Sequence, residues 1–322
     1  MRQHGRPSGA PVAYCLHMDE FAEQVVEAIN DISGKHEGHR AAHAKGTLLA
    51  GTFTPSGSGL TTAAHMQDEP VRVTARFSNG GGDPGIPDYA KEGRGLAVKF
   101  YLPDGSRTDV VALSLPCFFA RTPEDFLEFT RARKPDPETG QPDFGKIGKW
   151  LEAHPEAGPA IQAAVTADPP ESYATVTYNS IHSFRMTAPD GTERFVRYRF
   201  EPEAGEATLS GEDAKERGRD YLQEEIAGRD SAAFRMVAVI AEEGDAVDDP
   251  TVAWPDERDQ VELGRLELAG LDTERERDGD ILVFDPTRVT DGIDLSDDEI
   301  LHFRPRAYSA SVTRRSGAPA PA

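Results

Sequence analysis

Between positions 71 and 78, Val71, Val73, Ala75 and Phe77 alternate with Arg72, Thr74, Arg76 and Ser78. A period of two fits an extended strand and no helix, so one face is apolar while the other carries two guanidiniums and a hydroxyl. Strand-like stretches also cover 47–53, 95–101 and 108–114, separated by turns such as Gly80-Gly81-Gly82-Asp83-Pro84-Gly85. That glycine run lacks the Gly-Lys-Ser/Thr ending of a phosphate loop and reads as a turn. Strands resume over 173–178, 182–187, 194–200, 233–241 and 261–268. Roughly eight strands with turn-like connections, and helices before, between and after them, predict an α+β chain built on an antiparallel barrel.

The helical signals are fewer. Phe21, Val25, Ala28, Ile29 and Ile32 recur at helical spacing and predict a helix over 19–32, stopped by Ser33-Gly34. Thr122-Pro123-Glu124-Asp125 combines a cap, a proline at the first position and early acids, and opens a helix carrying Phe126 and Phe129. Residues 144–166 read as helix with proline breaks, with Trp150 and Leu151 in the core. Residues 212–228 read as one charged, exposed helix. The expected organisation is a flexible N-terminal extension over 1–18, one folded domain over 19–315, and a low-complexity disordered tail over 316–322.

Composition narrows the partners. The chain of 322 residues, 38% hydrophobic and 28% charged, suits one large domain or at most two. Its net charge of -21, from 35 basic and 56 acidic residues, argues against nucleic acid or anionic membrane, both of which need positive surface. A small neutral substrate is indifferent to that field. The N-terminus lacks the apolar core of a signal peptide, and no run approaches the ~20 apolar residues of a spanning helix, so the chain reads as cytoplasmic. Cys15 and Cys117 lie far apart and give no disulfide framework and no cysteine metal site; Cys117 reads as a small buried thiol.

Two short stretches carry chemistry. In Arg40-Ala41-Ala42-His43-Ala44-Lys45-Gly46, one histidine stands among small residues that leave space over its ring. Arg304 and Tyr308 stand four apart, which on a helix puts a cation one turn from a phenol and favours its ionised form. A tyrosinate is a good iron ligand. Singly, each has a plain structural reading as a core or surface contact. In combination and in order they are more specific. Arg-x-x-His-Ala-Lys-Gly, Arg-Phe-Ser-Asn-Gly, Gly93-Arg94-Gly95-Leu96-Ala97-Val98-Lys99-Phe100-Tyr101, Pro116-Cys117-Phe118-Phe119, Phe284-Asp285-Pro286 and Arg304-x-x-x-Tyr308 resemble the haem catalase superfamily. The likeness runs from about 21 to 315 and is strongest to the short members called minicatalases or catalase-related peroxidases.

That resemblance implies a fold, a cofactor and a role for each matched residue. The fold is a catalase-like antiparallel eight-stranded β-barrel with surrounding helices and no C-terminal flavodoxin-like domain, and the cofactor is haem b. Tyr308 matches the iron ligand, Arg304 the arginine that holds its phenolate ionised, and His43 the distal histidine. Ser78 matches the serine bonded to the histidine's other nitrogen. Arg40, Arg76 and Arg315 match arginines that pair with the haem propionates, a task for a planar fork donor. Phe126 matches a ring stacked on the porphyrin, with Phe118 and Phe119 in the same wall, where plain core packing stays open as the other reading. The implied reaction is heterolytic cleavage of hydrogen peroxide or an organic hydroperoxide to give water and a ferryl haem, then reduction by a second peroxide or by a small organic reductant. The same resemblance implies a homodimer.

The sequence departs from its relatives at particular positions. Leu113, followed by Ser114, stands where typical catalases carry an asparagine that positions peroxide. Pro305 interrupts the span between Arg304 and Tyr308 and predicts a kink there. Ala42 precedes the distal histidine, whereas related allene oxide synthases have threonine. No nicotinamide-binding fingerprint is visible. Two further readings remain: a catalase-fold oxidase or oxygenase in biosynthesis, and a non-catalytic haem-binding protein, against which His43 and Ser78 argue because a haem store needs no poised distal base.

Overall fold

The structure is a computed structural model and describes residues 12–275 and 281–316. Four strands, β1 (Gly46–Pro55), β2 (Val71–Asn79), β3 (Arg94–Tyr101) and β4 (Arg107–Leu113), form an antiparallel meander. The chain then passes through α2 (Pro123–Ala132), α3 (Phe144–Ala153) and α4 (Gly158–Thr166), α1 (Val12–Ser33) having preceded the meander. It returns to the sheet with β5 (Tyr178–Asn179), β6 (Phe184–Thr187) and β7 (Glu193–Pro202), and, after α5 (Gly211–Glu216) and α6 (Tyr221–Gly228), with β8 (Ala232–Ile240) and β9 (Gln260–Leu271). β9 pairs with β1 and β7 with β8, which closes β1, β2, β3, β4, β5, β7, β8 and β9 into an eight-stranded antiparallel barrel. β6 and β10 (Ile293–Leu295) extend it beside β7, and α7 (Glu299–Ser316) ends the described chain.

The period of two decides what each face does. Phe53, Phe77, Leu96, Phe100, Phe200 and Phe234 point inward and are fully buried, each removal from water contributing about 1.5–3 kcal/mol. Their neighbours point outward. Ser78 pairs with Gly46 and Gly95, Gly95 with Leu113, Leu113 with Asn179, and Asn179 with Arg199, so one cross-strand row runs over the outer face. Helices α1, α2 and α7 pack through Ala22, Val25, Val26, Leu127, Phe303 and Ala310. An Arg314–Glu23 ion pair at 2.9 Å ties α7 to α1.

Four expectations need correction. α1 begins at Val12, so residues 12–18 are helical; residues 1–11 lie outside the described residues. α7 runs through Ser316, the first residue of the expected tail, and 317–322 lie outside the described residues. Of the stretch 173–178 only Tyr178 enters a strand. Tyr173–Thr175 is a 3-10 turn because Ser172 caps it: Ser172 Oγ accepts from the Ala174 N–H at 3.0 Å and Thr175 Oγ1 from the Ser172 N–H at 3.1 Å. The segment 212–228 is two helices, broken near Gly218 at φ 107°. The second buries Tyr221, Leu222 and Ile226, so its charged residues describe one face only.

Candidate active site

The distal side is built by the sheet. His43 has φ 54°, the one non-glycine residue with positive φ among the described residues, a conformation that L side chains adopt at a cost. The loop over 80–82 holds it there: the His43 N–H donates to the Gly80 carbonyl at 3.2 Å and the Ala44 N–H to the Gly81 carbonyl at 3.0 Å. A Cβ on Gly82 would lie 2.1 Å from the Ala41 carbonyl oxygen, so the glycine run is needed for close approach as well as for turning. His43 Nδ1 lies 3.0 Å from Ser78 Oγ. A Cβ on Gly95 would stand 2.8 Å from that hydroxyl and 3.0 Å from the imidazole, so a bare glycine makes room for the ring. Burial, reinforced by the charges of Arg76, Arg304 and Arg40, lowers the His43 pKa to about 3. It is a neutral base at any ordinary pH.

The proximal side is built by α7. Arg304 Nε donates to the Tyr308 hydroxyl at 2.8 Å, Arg304 Nη1 meets His182 Nε2 at 2.8 Å, and His182 Nδ1 meets Asp298 Oδ2 at 2.6 Å. A guanidinium only donates, so His182 Nε2 must accept and its Nδ1–H must point at the carboxylate. His182 and Asp298 are each 1% exposed. Asp298 also caps the helix, Oδ1 accepting from the Leu301 N–H at 3.1 Å. The sequence reading missed both. Asp298 is signalled only as a cap just before a helix, and His182 carries no local signal.

Two proximal expectations bear on this geometry. Pro305 lies inside α7, and Arg304 still reaches the Tyr308 hydroxyl across it. Burial pushes the Tyr308 phenol above its ordinary pKa and outweighs Arg304, which acts to lower it.

The two sides meet. Arg304 acts electrostatically on His43. The Ala41 N–H donates to Ser311 Oγ at 3.3 Å, stitching the distal segment to α7 three residues beyond Tyr308. Arg40 and Arg315 line one pocket with Ala41 and Ser311, and Arg40 Nη2 also donates to the Leu282 carbonyl at 2.8 Å. Arg76 is buried, donates to the Ala44 carbonyl at 3.2 Å, and lies across Gly46, where a Cβ would be 2.7 Å from its guanidinium. Phe126 stacks on Phe118 with centroids 6.0 Å apart and lies 5.4 Å from Phe119. Phe126, like Ala41 and Ala307, packs against the cluster that joins α1, α2 and α7. Seven of the ten residues singled out from sequence are thus linked between the barrel's outer face and α7, and the three rings form one group that adjoins the cluster of α1, α2 and α7 through Phe126.

A family model described as Catalase matches residues 19–320. The chain belongs to the catalase family. It is 42% identical to the catalase-related peroxidase of Mycolicibacterium paratuberculosis over 92% of this chain and 95% of that one. It is 33% identical to the catalase-related peroxidase of Synechococcus elongatus over 91% of this chain and 88% of that one. A fungal catalase crystal structure superposes with a TM-score of 0.77 at 23% identity, over 98% of this chain and 66% of that one, and shows the same fold. This catalase-family chain is an oxidoreductase.

Within the family site, the departures from the larger catalases acquire positions. Leu113 ends β4 on the same outer face as Ser78 and Gly95, directly opposite Gly95. Ser114 accepts from the Arg94 N–H at 2.8 Å and, with Asn179 and Arg199, lines a separate surface cavity of about 650 Å³. Among the described residues no helix is long and apolar enough to cross a membrane.

Proposed function

We propose that the protein binds one haem b per chain through Tyr308 and reduces hydrogen peroxide or organic hydroperoxides at the expense of a small reductant. The observation that carries this is the Arg304–Tyr308 bond at 2.8 Å facing a neutral histidine bonded to Ser78. The residues fit the group. A half-buried phenol with a cationic neighbour is an iron(III) donor, and Arg40, Arg76 and Arg315 supply, in a chain of net charge -21, the local positive charge that two propionates require. Bare Gly46 and Gly95 keep the guanidinium and the imidazole at this wall.

Haem b held by a tyrosinate supplies the electrons that split a peroxide O–O bond. The chain supplies the rest. His43, with Nδ1 turned to Ser78, uses Nε2 to take the peroxide proton and return it to the leaving oxygen. Its low pKa keeps it ready as an acceptor. Tyr308 gives up its proton when it ligates, and Arg304, backed by His182 and Asp298, balances the resulting charge. Leu113 offers no hydrogen bond to a second peroxide, so an organic reductant competes better than in an enzyme with an amide there.

The test is optical. Haem titrated into purified protein should give a ferric Soret band saturating at one haem per chain, and peroxide should then bring weak oxygen evolution with ready oxidation of a dye. A protein that binds no haem, or binds it and reacts with neither peroxide class, ends this reading.

A further inference from the structure

Behind the Phe118–Phe126 wall, rings continue away from the site. Phe119 lies 5.4 Å from Phe126 and 5.1 Å from Phe129, Phe129 lies 4.5 Å from Trp150, and Trp150 is stacked on His154 at 4.2 Å and 19°. Trp150 is 7% exposed and its Nε1–H finds no partner among the described residues, unusual for a buried indole. His154 is one-fifth exposed, with Nδ1 3.0 Å from Glu156 and 4.0 Å from Asp125. The ladder therefore runs from the candidate haem wall to an aromatic pair at the surface with two carboxylates beside it.

Three other oxidisable rings, Tyr101, Trp254 and Tyr308, carry cations. A cation against an aromatic face is attracted to the neutral ring and opposes removal of an electron from it. Tyr101 carries the guanidiniums of Arg72, Arg275 and Arg107 at 4.4, 5.4 and 5.7 Å. Trp254 carries Arg197 at 4.5 Å and Tyr308 carries Arg304 at 5.7 Å. Arg133 lies 5.0 Å from Phe129, which makes that ring a bridge rather than a resting place. Among the described residues no cation covers the face of Trp150, and the charges that meet its stacking partner His154 are negative. A positive hole costs less there than on Tyr101, Trp254 or Tyr308.

We infer that Trp150, stacked on His154, is a second oxidation site, at which aromatic amines give up electrons without reaching His43. The inference rests on the haem reading above. One electron leaves the Trp150 indole for a haem oxidised by hydrogen peroxide, Nε1 keeping its proton. One electron from the amine restores the indole. Two such transfers and two protons from solvent complete the reaction, hydrogen peroxide and two amines giving two waters and two amine radical cations. Asp125 and Glu156, in a chain of net charge -21, favour a reductant whose product is a cation and disfavour an anionic dye.

The experiment uses haem-loaded protein frozen within seconds of adding hydrogen peroxide, with electron paramagnetic resonance as the readout. The expected result is a radical whose couplings change when tryptophan is ring-deuterated, absent in Trp150→Phe and retained in Trp254→Phe. Oxidation of N,N,N′,N′-tetramethyl-p-phenylenediamine by Trp150→Phe should fall by about tenfold, equivalent to about 1.4 kcal/mol of barrier, with haem content, reaction of the haem with peroxide and oxidation of a sulfonated dye unchanged. Should that variant fail to fold, peptide mapping of the parent after peroxide decides: oxygen added at Trp150 and suppressed by the amine supports the site, and an unmodified Trp150 overturns it. A haem-loaded protein whose radical survives in Trp150→Phe overturns this inference alone, whereas protein that takes up no haem overturns it together with the reading beneath it.

Discussion

The two sides of the candidate site are made in opposite ways. The distal side is a single pair, His43 and Ser78, set by strand register and a glycine loop, with a half-buried imidazole whose protonation burial and three arginines suppress. The proximal side is a chain of four, Tyr308, Arg304, His182 and Asp298, whose last two members are almost wholly shielded from solvent. A group that handles protons needs an open face and few ties. A group that holds a metal and balances its charge needs a fixed environment in which every donor is matched. Substitutions on the proximal side should therefore disturb the cofactor, and those on the distal side should leave it in place and change rates.

The sharpest test of that contrast is Tyr308→Phe, expected to abolish haem binding or its ferric spectrum; a wild-type spectrum and activity in this variant would break the contrast outright. His43→Ala should keep haem and slow its reaction with peroxide by about 10² to 10⁴, the usual worth of a positioned acid–base group. The sign of the pH dependence rests on the same residue. Its folded pKa of about 3 lies below the ordinary histidine value of 6.5, so the acceptor form persists as pH falls and the peroxide step should lose no rate near pH 6.5. Stopped-flow traces showing an acid limb near 6.5 in the parent that vanishes in His43→Gln would contradict this.

Asp298→Asn sits between the two regimes. Removing the carboxylate behind His182 should cost about 10- to 100-fold in haem affinity or activity, as partners behind a metal ligand typically do. It should also shift the ferric spectrum, which His43→Ala should not. Equal spectra in parent and variant would show that the chain of four does not act on the ligand. The smallest effect belongs to Leu113→Asn. A recovered hydrogen bond of about 0.5–1.5 kcal/mol should raise oxygen evolution relative to dye oxidation several-fold to tens-fold. An unchanged ratio would place the origin of peroxidase character somewhere other than Leu113.

Much of this was legible in sequence because it is local. Val71 to Phe77 declares a strand by its period, and that same period puts Ser78 outside while Phe77 goes in. The Thr122–Asp125 capping box starts α2 as its residues dictate, with Thr122 Oγ1 accepting from the Asp125 N–H at 3.1 Å. Arg304 and Tyr308 meet by helical spacing alone, although the proline between them suggested otherwise. Where reading by pattern failed, competing side chains or hidden faces had decided. Ser172 and Thr175 bonded their own backbone and turned an expected strand into a 3-10 turn, and Tyr221, Leu222 and Ile226 were outvoted in sequence by the charges around them.

The sequence by itself determined the alternating strands, the four-residue spacing of Arg304 and Tyr308, and the small-residue setting of His43, since each depends on residues within a turn or a strand of one another. Only the tertiary structure decided the rest. Closure of the barrel through β7–β8 and β1–β9 joins segments that no local pattern pairs. His182 finds Asp298 across 116 positions, and the tie between Ala41 and Ser311 spans 270. The ionisation of the site was equally out of reach. The sequence places Arg304 beside Tyr308 and suggests a phenolate, but the protonation state depends on how much water the fold removes, and here desolvation outweighs one neighbouring cation.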